Sequence, residues 1–212
     1  SRYKKKFPSF EFASEGTPRE QRQIEQLTSS WDQIGDIRRN YKVEIEANMF
    51  RFVFPEHPLN MVSRWSVGSD KDSIIKRAAF NGMGLVIWQD VFGVWLPFSN
   101  KQKQQIKKLK NVLNKYHNIV FGSNSVPLIE TLSKGLICNQ FCNDNNQKIL
   151  AIYNFTNKSI KGPLVALEPI AKIKYQQIFG IKSNLQIKKI KKINTIFGTV
   201  PADEVILIYI KY

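Results

Sequence analysis

The hydrophobic period of this chain changes once, at the short turn-rich stretch GSNSVP (122–127). After it the apolar residues recur every second position, in LICNQF (136–141), ILAIYN (149–154), 164–167, 172–179, 184–195 and EVILIYIK (204–211). The turn-rich segments DNNQ, TNKS and KGP separate several of these runs, and no helical pattern interrupts them. Six or more short strands at such intervals predict a small antiparallel β-sandwich over residues 127–212.

Before the switch, short apolar runs alternate with helical patterns. FPSFEFA (7–13) reads as a strand, and residues 19–34 set Ile24, Leu27, Trp31 and Ile34 at helix spacing. MFRFVF (49–54) reads as a second strand closed by Pro55. Asp70 is a good N-cap for a helix whose apolar face is Ile74, Ile75, Ala78 and Ala79, ended by Asn81-Gly82. GLVIW (84–88) is the third strand, too continuous to be half exposed. Ser99 caps a helix running to Tyr116, with Ile106, Leu109, Val112 and Leu113 on its buried side. Strand alternating with helix is the pattern of parallel βαβ units. The expected fold class is therefore α/β followed by all-β, divided at 1–122 and 127–212.

Composition narrows the function classes. The 212 residues suffice for a sizeable core, and 42% hydrophobic with 23% charged content belongs to a globular chain. No run approaches the roughly 18 apolar residues of a membrane-spanning helix. The opening SRYKKKFPSF has neither an initiator Met nor an apolar signal core, so the chain is expected to begin inside a longer protein. The net charge of +15 rests on lysines in KQKQQIKKLKNVLNK (101–115) and QIKKIKKINTI (186–196). Neither cluster is interleaved with aromatic residues and no nucleic-acid motif occurs, so no nucleic-acid partner is expected. Cys138 and Cys142 share a strand face about 13 Å apart, too far for a disulfide, and have no partners at zinc spacing. His117, at the end of the long helix, reads as a surface charge. No metal and no cofactor is called for.

In parallel βα folds, functional groups follow the C-terminal ends of strands. On this reading three successive strand ends each deliver a carboxylate: Glu15 after the first, Glu56 beside His57 after the second, and Asp90 beside Gln89 after the third. Arg64 and Trp65 lie further along the second loop, and Trp88, Phe92 and Trp95 surround Asp90. Paired carboxyl groups can cleave a glycosidic bond, with flat aromatic faces for sugar rings and an Arg fork for a hydroxyl. Glu15 and Asp90 are thus the catalytic candidates. Glu56, His57, Arg64, Trp65, Trp88, Gln89 and Trp95 are candidates for substrate contact. Each also has a purely structural reading: Glu15 as a helix-start charge, Glu56-His57 as a rigid turn between prolines, Asp90 as a turn cap, the tryptophans as core.

FEFASEG (10–16), FRFVFPEHP (50–58), IIKRAAFNGMGLVIWQDVFG (74–93), KILAIYNFTNKSIKGPLVAL (148–167) and INTIFGTVPADEVILIYIK (193–211) together resemble the C-terminal part of (β/α)8-barrel glycoside hydrolases of the broad α-galactosidase-like kind. The resemblance implies a partial (β/α)8 TIM barrel, its last three βα units, followed by the β-sandwich. It further implies a carbohydrate substrate, a missing N-terminal half of the barrel, and no turnover by these residues alone. A non-catalytic carbohydrate-binding or scaffold protein is the alternative, and a basic nucleic-acid binder the third reading.

Overall fold

In a computed structural model the described residues are 13–15, 24, 27–32, 45–63, 71–87, 98–169 and 172–212. Four short strands, β1 (Ala13–Glu15), β2 (Ser29–Asp32), β3 (Leu59–Ser63) and β4 (Gly84–Ile87), form a sheet in the order β1-β2-β3-β4. Every neighbouring pair is parallel. Four helices accompany them among the described residues: α1 (Met49–Val53), α2 (Lys71–Asn81), α3 (Asn100–Lys115) and α4 (His117–Val120).

This region corrects three sequence expectations. The run 49–54 is helix, not strand. Alternation in MFRFVF would turn Arg51 outward, yet Arg51 is fully buried while Met49 and Val53 are exposed. Its guanidinium donates from Nη1 to Pro55 O at 3.0 Å and from Nη2 to Val120 O, and it lies 4.6 Å from the centre of the Phe121 ring. Burial pulls its pKa down to about 10. These tertiary contacts, with Phe52 stacked on Phe141 at 5.7 Å, override the local strand preference. Second, Ser29–Asp32 is strand where a helix was expected, so the parallel strands among the described residues are four, and of the expected strand 7–13 only Ala13 is described. Third, β4 is half-exposed: Ile87 keeps 46% of its surface, and among the described residues β4 has a single neighbouring strand.

The apolar face and end of the second expected helix and the cap of the third match, while Asp70 lies outside the described residues. Ile74, Ile75, Ala78 and Ala79 of α2 are wholly buried. Gly82 then takes φ +61°, ending the helix in the left-handed conformation that suits glycine. Ser99 Oγ accepts from Gln102 N at 3.2 Å while Gln102 Oε1 accepts from Ser99 N at 2.9 Å, a full capping box for α3.

Eight antiparallel strands follow: β5 (Val126–Ile129), β6 (Leu136–Cys142), β7 (Gln147–Asn154), β8 (Ile160–Leu167), β9 (Lys174–Phe179), β10 (Gln186–Ile190), β11 (Ile193–Val200) and β12 (Glu204–Lys211). They make a five-stranded sheet, β5-β6-β7-β12-β9, and a three-stranded sheet, β10-β11-β8. The expected single strand 184–195 is instead a hairpin, folded at Lys191-Lys192, both with positive φ. Both cysteines lie on β6 as free thiols.

The five-stranded sheet is covered on both faces. Along β7, Ile149, Ala151 and Tyr153 join the core formed with α2, α3 and α4, whereas Leu150 and Ile152 join a second core shared with the three-stranded sheet. On β12, Val205 and Leu207 face the helices, and Ile206, Ile208 and Ile210 face β8 and β11. Two polar ties lock the parallel region to this sheet. Asn139, fully buried on β6, donates to Phe80 O at the end of α2 (3.1 Å) and accepts from Leu128 N (3.1 Å). Lys76 of α2 pairs with Asp203 Oδ2 at 3.2 Å, whose other oxygen accepts from the Tyr153 hydroxyl at 2.9 Å.

Two outcomes follow from this packing. A Cβ on Gly82 would stand 2.7 Å from Val120 Cγ1, so G82A is expected to cost about 1–3 kcal/mol of unfolding free energy, read by urea denaturation. Glu204 is buried beside Lys76 and Lys101, and burial raises its pKa above 4.5 against the pull of those lysines. The folded state then holds this proton more tightly than the unfolded state, so stability falls as pH rises from 4.5 through the folded value. E204Q is expected to stabilise at pH 7, with the gain vanishing below pH 4.5, as read by denaturation across that range.

Candidate active site

Because β1 to β4 run parallel, their C-terminal ends share one edge of the sheet. Glu15 closes β1, Asp32 closes β2, Ser63 closes β3 and Ile87 closes β4. The register is staggered: Glu15 pairs with Trp31, Asp32 with Met61, and Ser63 with Ile87. Arg64 and Trp65 follow Ser63 directly in the chain, and Trp88, Gln89 and Asp90 follow Ile87. These five residues and Trp95 lie outside the described residues.

Asp32 is an acidic position at this edge that sequence reasoning missed. Ile24, Leu27, Trp31 and Ile34 fit a helix by spacing, so Asp32 was absorbed into a helix interior and never considered as a strand end. Only the observed pairing of Ser29–Asp32 with β1 and β3 reveals it.

Glu56 and His57 fall elsewhere. They were expected after a strand, but residues 49–53 are helical and the turn 55–58 leads into β3. They therefore stand at the N-terminal edge of the sheet, opposite to Glu15, where they line an open cleft of about 570 Å³ with Phe52 and Phe54. Glu56 is exposed there. His57 is buried, with its Nε2 2.8 Å from the hydroxyl of fully buried Ser30, which in turn accepts from Ser14 Oγ at 2.9 Å. Since Ser30 accepts from Ser14, its own proton is available to His57 Nε2. The Phe50 ring meets the imidazole edge-on at 5.7 Å. This arrangement ties the turn before β3 to β1 and β2, reinforced by the Ser30 N–H bond to Pro58 O at 3.0 Å. These contacts give His57 a packing and hydrogen-bonding place at the N-terminal edge of the sheet.

Among the described residues no group of three or more His, Cys, Asp or Glu could hold a metal. Nor is any described helix long and apolar enough to cross a membrane.

No family model matches the chain, and neither does any curated protein sequence. Its fold, however, is similar to that of solved glycoside hydrolases. The native Nostoc punctiforme debranching enzyme superposes at TM-score 0.63 with 11% identity, over 98% of this chain and 53% of the enzyme. The acarbose-soaked form of that enzyme gives 0.57 at 11% identity, over 97% and 52%. α-Galactosidase I from Mortierella vinacea aligns at 0.45 and 11% identity, over 73% and 40%. The chain thus has a glycosidase-like fold and spans about half the length of the debranching enzyme it matches.

Burial lowers the pKa of His57 below 6.5 and so favours the neutral ring. The folded state binds this proton less readily than the unfolded state, and the stability His57 supplies is complete above pH 6.5 and fades as pH falls through the folded value. H57A is expected to lower the unfolding free energy by about 1–3 kcal/mol at pH 7.5 and to flatten the acid-side decline, as read by denaturation at several pH values.

Proposed function

We propose that this chain is the C-terminal part of a (β/α)8-barrel glycoside hydrolase, cleaving O-glycosyl bonds in a carbohydrate substrate. In this reading residues 1–122 supply the last four strands of the barrel and residues 127–212 a β-sandwich packed against it. The observation that supports it most is the all-parallel order β1-β2-β3-β4, which brings the ends bearing Glu15 and Asp32 to one edge, in a fold that follows a debranching enzyme over nearly the whole chain. The half-exposed Ile87 on the free edge of β4 is also in keeping with a sheet that continues onto further strands.

The roles follow from chemistry. Glycosidic cleavage needs one carboxylic acid to protonate the leaving oxygen and one carboxylate to attack the anomeric carbon or activate water. Glu15 and Asp90 are the candidates for that pair, with Asp32 as a further carboxylate at the same edge. Arg64 and Gln89 would hydrogen-bond sugar hydroxyls, and Trp65, Trp88 and Trp95 would offer ring faces. Glu56 and His57 carry no catalytic part in this scheme.

The coding sequence on the 5′ side of Ser1 is expected to encode four further βα units; a start codon and nothing else would overturn the reading. Expressed with those units, the protein should hydrolyse a glycoside from a panel of α-glucans and aryl glycosides. E15Q or D90N should then cut kcat by roughly 10²–10⁴. Turnover by the 212-residue chain alone, or full activity in both variants, would sink the proposal.

A further inference from the structure

The three-stranded sheet is the layer farthest from the parallel region, with the five-stranded sheet between them. Its charge is one-sided. Between Glu168 and Asp203 the chain has seven lysines and no Asp or Glu. Both flanking carboxylates are engaged, Glu168 by Lys148 and Asp203 by Lys76 and Tyr153. Lys188, Lys189, Lys191 and Lys192 crowd the end of the β10–β11 hairpin, and all four are exposed. None of them pairs with a carboxylate among the described residues.

The same hairpin end holds an apolar pair. Ile187 and Ile196, opposite each other, pack on the second core, so alternation turns Ile190 and Ile193 to the outer face. These two also pair directly across the hairpin, and they keep 39% and 48% of their surface. β8 pairs with β11 only as far as Asn194, so residues 190–193 project beyond it. Lys191 and Lys192 take φ +46° and +71°, in a two-residue turn usually filled by Asn-Gly. The hairpin thus ends in a ridge, apolar on its outer face and basic around it. Lysine on an edge strand deters pairing with another sheet, and β10 is such an edge among the described residues. That accounts for Lys188 and Lys189 but not for the exposed isoleucines, nor for two lysines in a backbone conformation that suits glycine.

We propose that this hairpin docks the protein on an anionic lipid surface, with Ile190 and Ile193 entering the apolar boundary and the four lysines lying over acidic headgroups. Stable peripheral attachment takes two signals together, an apolar group and a basic patch, and the ridge presents both. A nucleic acid matches it less well. Single strands bind where bases stack on open aromatic rings, whereas Phe197, the one aromatic ring of the hairpin, has the Lys188 ammonium 5.0 Å from its centre. Exposed isoleucines would also gain nothing against a phosphate backbone. The inference is independent of the catalytic reading, because the ridge lies on the sandwich and attachment is measured without turnover.

The test is co-sedimentation of the 212-residue chain with vesicles of phosphatidylcholine alone and of phosphatidylcholine with phosphatidylserine at about 2:1, beside binding to a DNA duplex. Saturable binding is expected with the mixed vesicles only. I190S/I193S leaves the net charge unchanged and should weaken that binding about tenfold. K191N/K192G gives the turn its usual residues; it should also weaken binding about tenfold while raising the urea midpoint, which keeps the test valid if the isoleucine variant fails to fold. K107Q/K110Q removes two exposed lysines of α3 and should bind within about twofold of the parent. The proposal is overturned if the mixed vesicles are not bound, if I190S/I193S binds as well as the parent, or if K107Q/K110Q weakens binding as much as K191N/K192G. It is overturned too if K191N/K192G loses affinity for the duplex and not for the vesicles, which would make the hairpin a nucleic-acid contact.

Discussion

The rest of the structure depends on the pairing of β7 with β12. These two strands lie side by side in the middle of the five-stranded sheet and are apolar on both faces. One face completes the core under α2, α3 and α4, and the other completes the core against β8 and β11. A strand covered on one side alone can tolerate polar residues on the other; here ILAIY and VILIYI leave no such freedom. A one-residue slip in this pair would exchange the two cores, turning Tyr153 and Val205 toward a space shaped for Ile152 and Ile206. The parallel region takes its position from that wall, through Asn139 at the end of α2 and through Lys76 and Tyr153 at Asp203.

Much of this was legible in the sequence, because period and punctuation agree in the second half. Short apolar runs mark the positions of β6, β7 and β12, and turn residues such as DNNQ mark their ends. Where the two signals parted, reading failed. In QIKKIKKINTI the isoleucines recur every third position, through Lys191-Lys192 as before them, and nothing local announces that two lysines will take left-handed backbone conformations usually left to Asn and Gly. The first half was harder because its strands are only three to five residues long, less than the window over which a period can be recognised. MFRFVF is the sharpest case: strand by pattern, helix by context, since burying Arg51 against Val120, Phe121 and Phe141 requires partners 69 or more residues away.

That error carried over to the candidate site. A strand at 49–54 would place Glu56 and His57 at its C-terminal end. With the strand moved to 59–63, they belong to the opposite edge, and His57 is explained by Ser30. The same shift turned Asp32 from a helical residue into a strand end. Which end of a strand a residue occupies decides whether a carboxylate meets substrate or a stabilising turn, and that depends on boundaries a few residues wide.

The place of β12 also has a consequence in time. Residues 204–211 leave the ribosome after everything else described, yet Val205 and Leu207 sit under the helices made about a hundred residues earlier. Until β12 arrives, the wall under α2 and α3 is incomplete, and β7 lacks its inner neighbour. From the synthesis of α3 to that of β12 the nascent chain must therefore carry an exposed apolar surface, a state in which holding chaperones matter more than local folding speed.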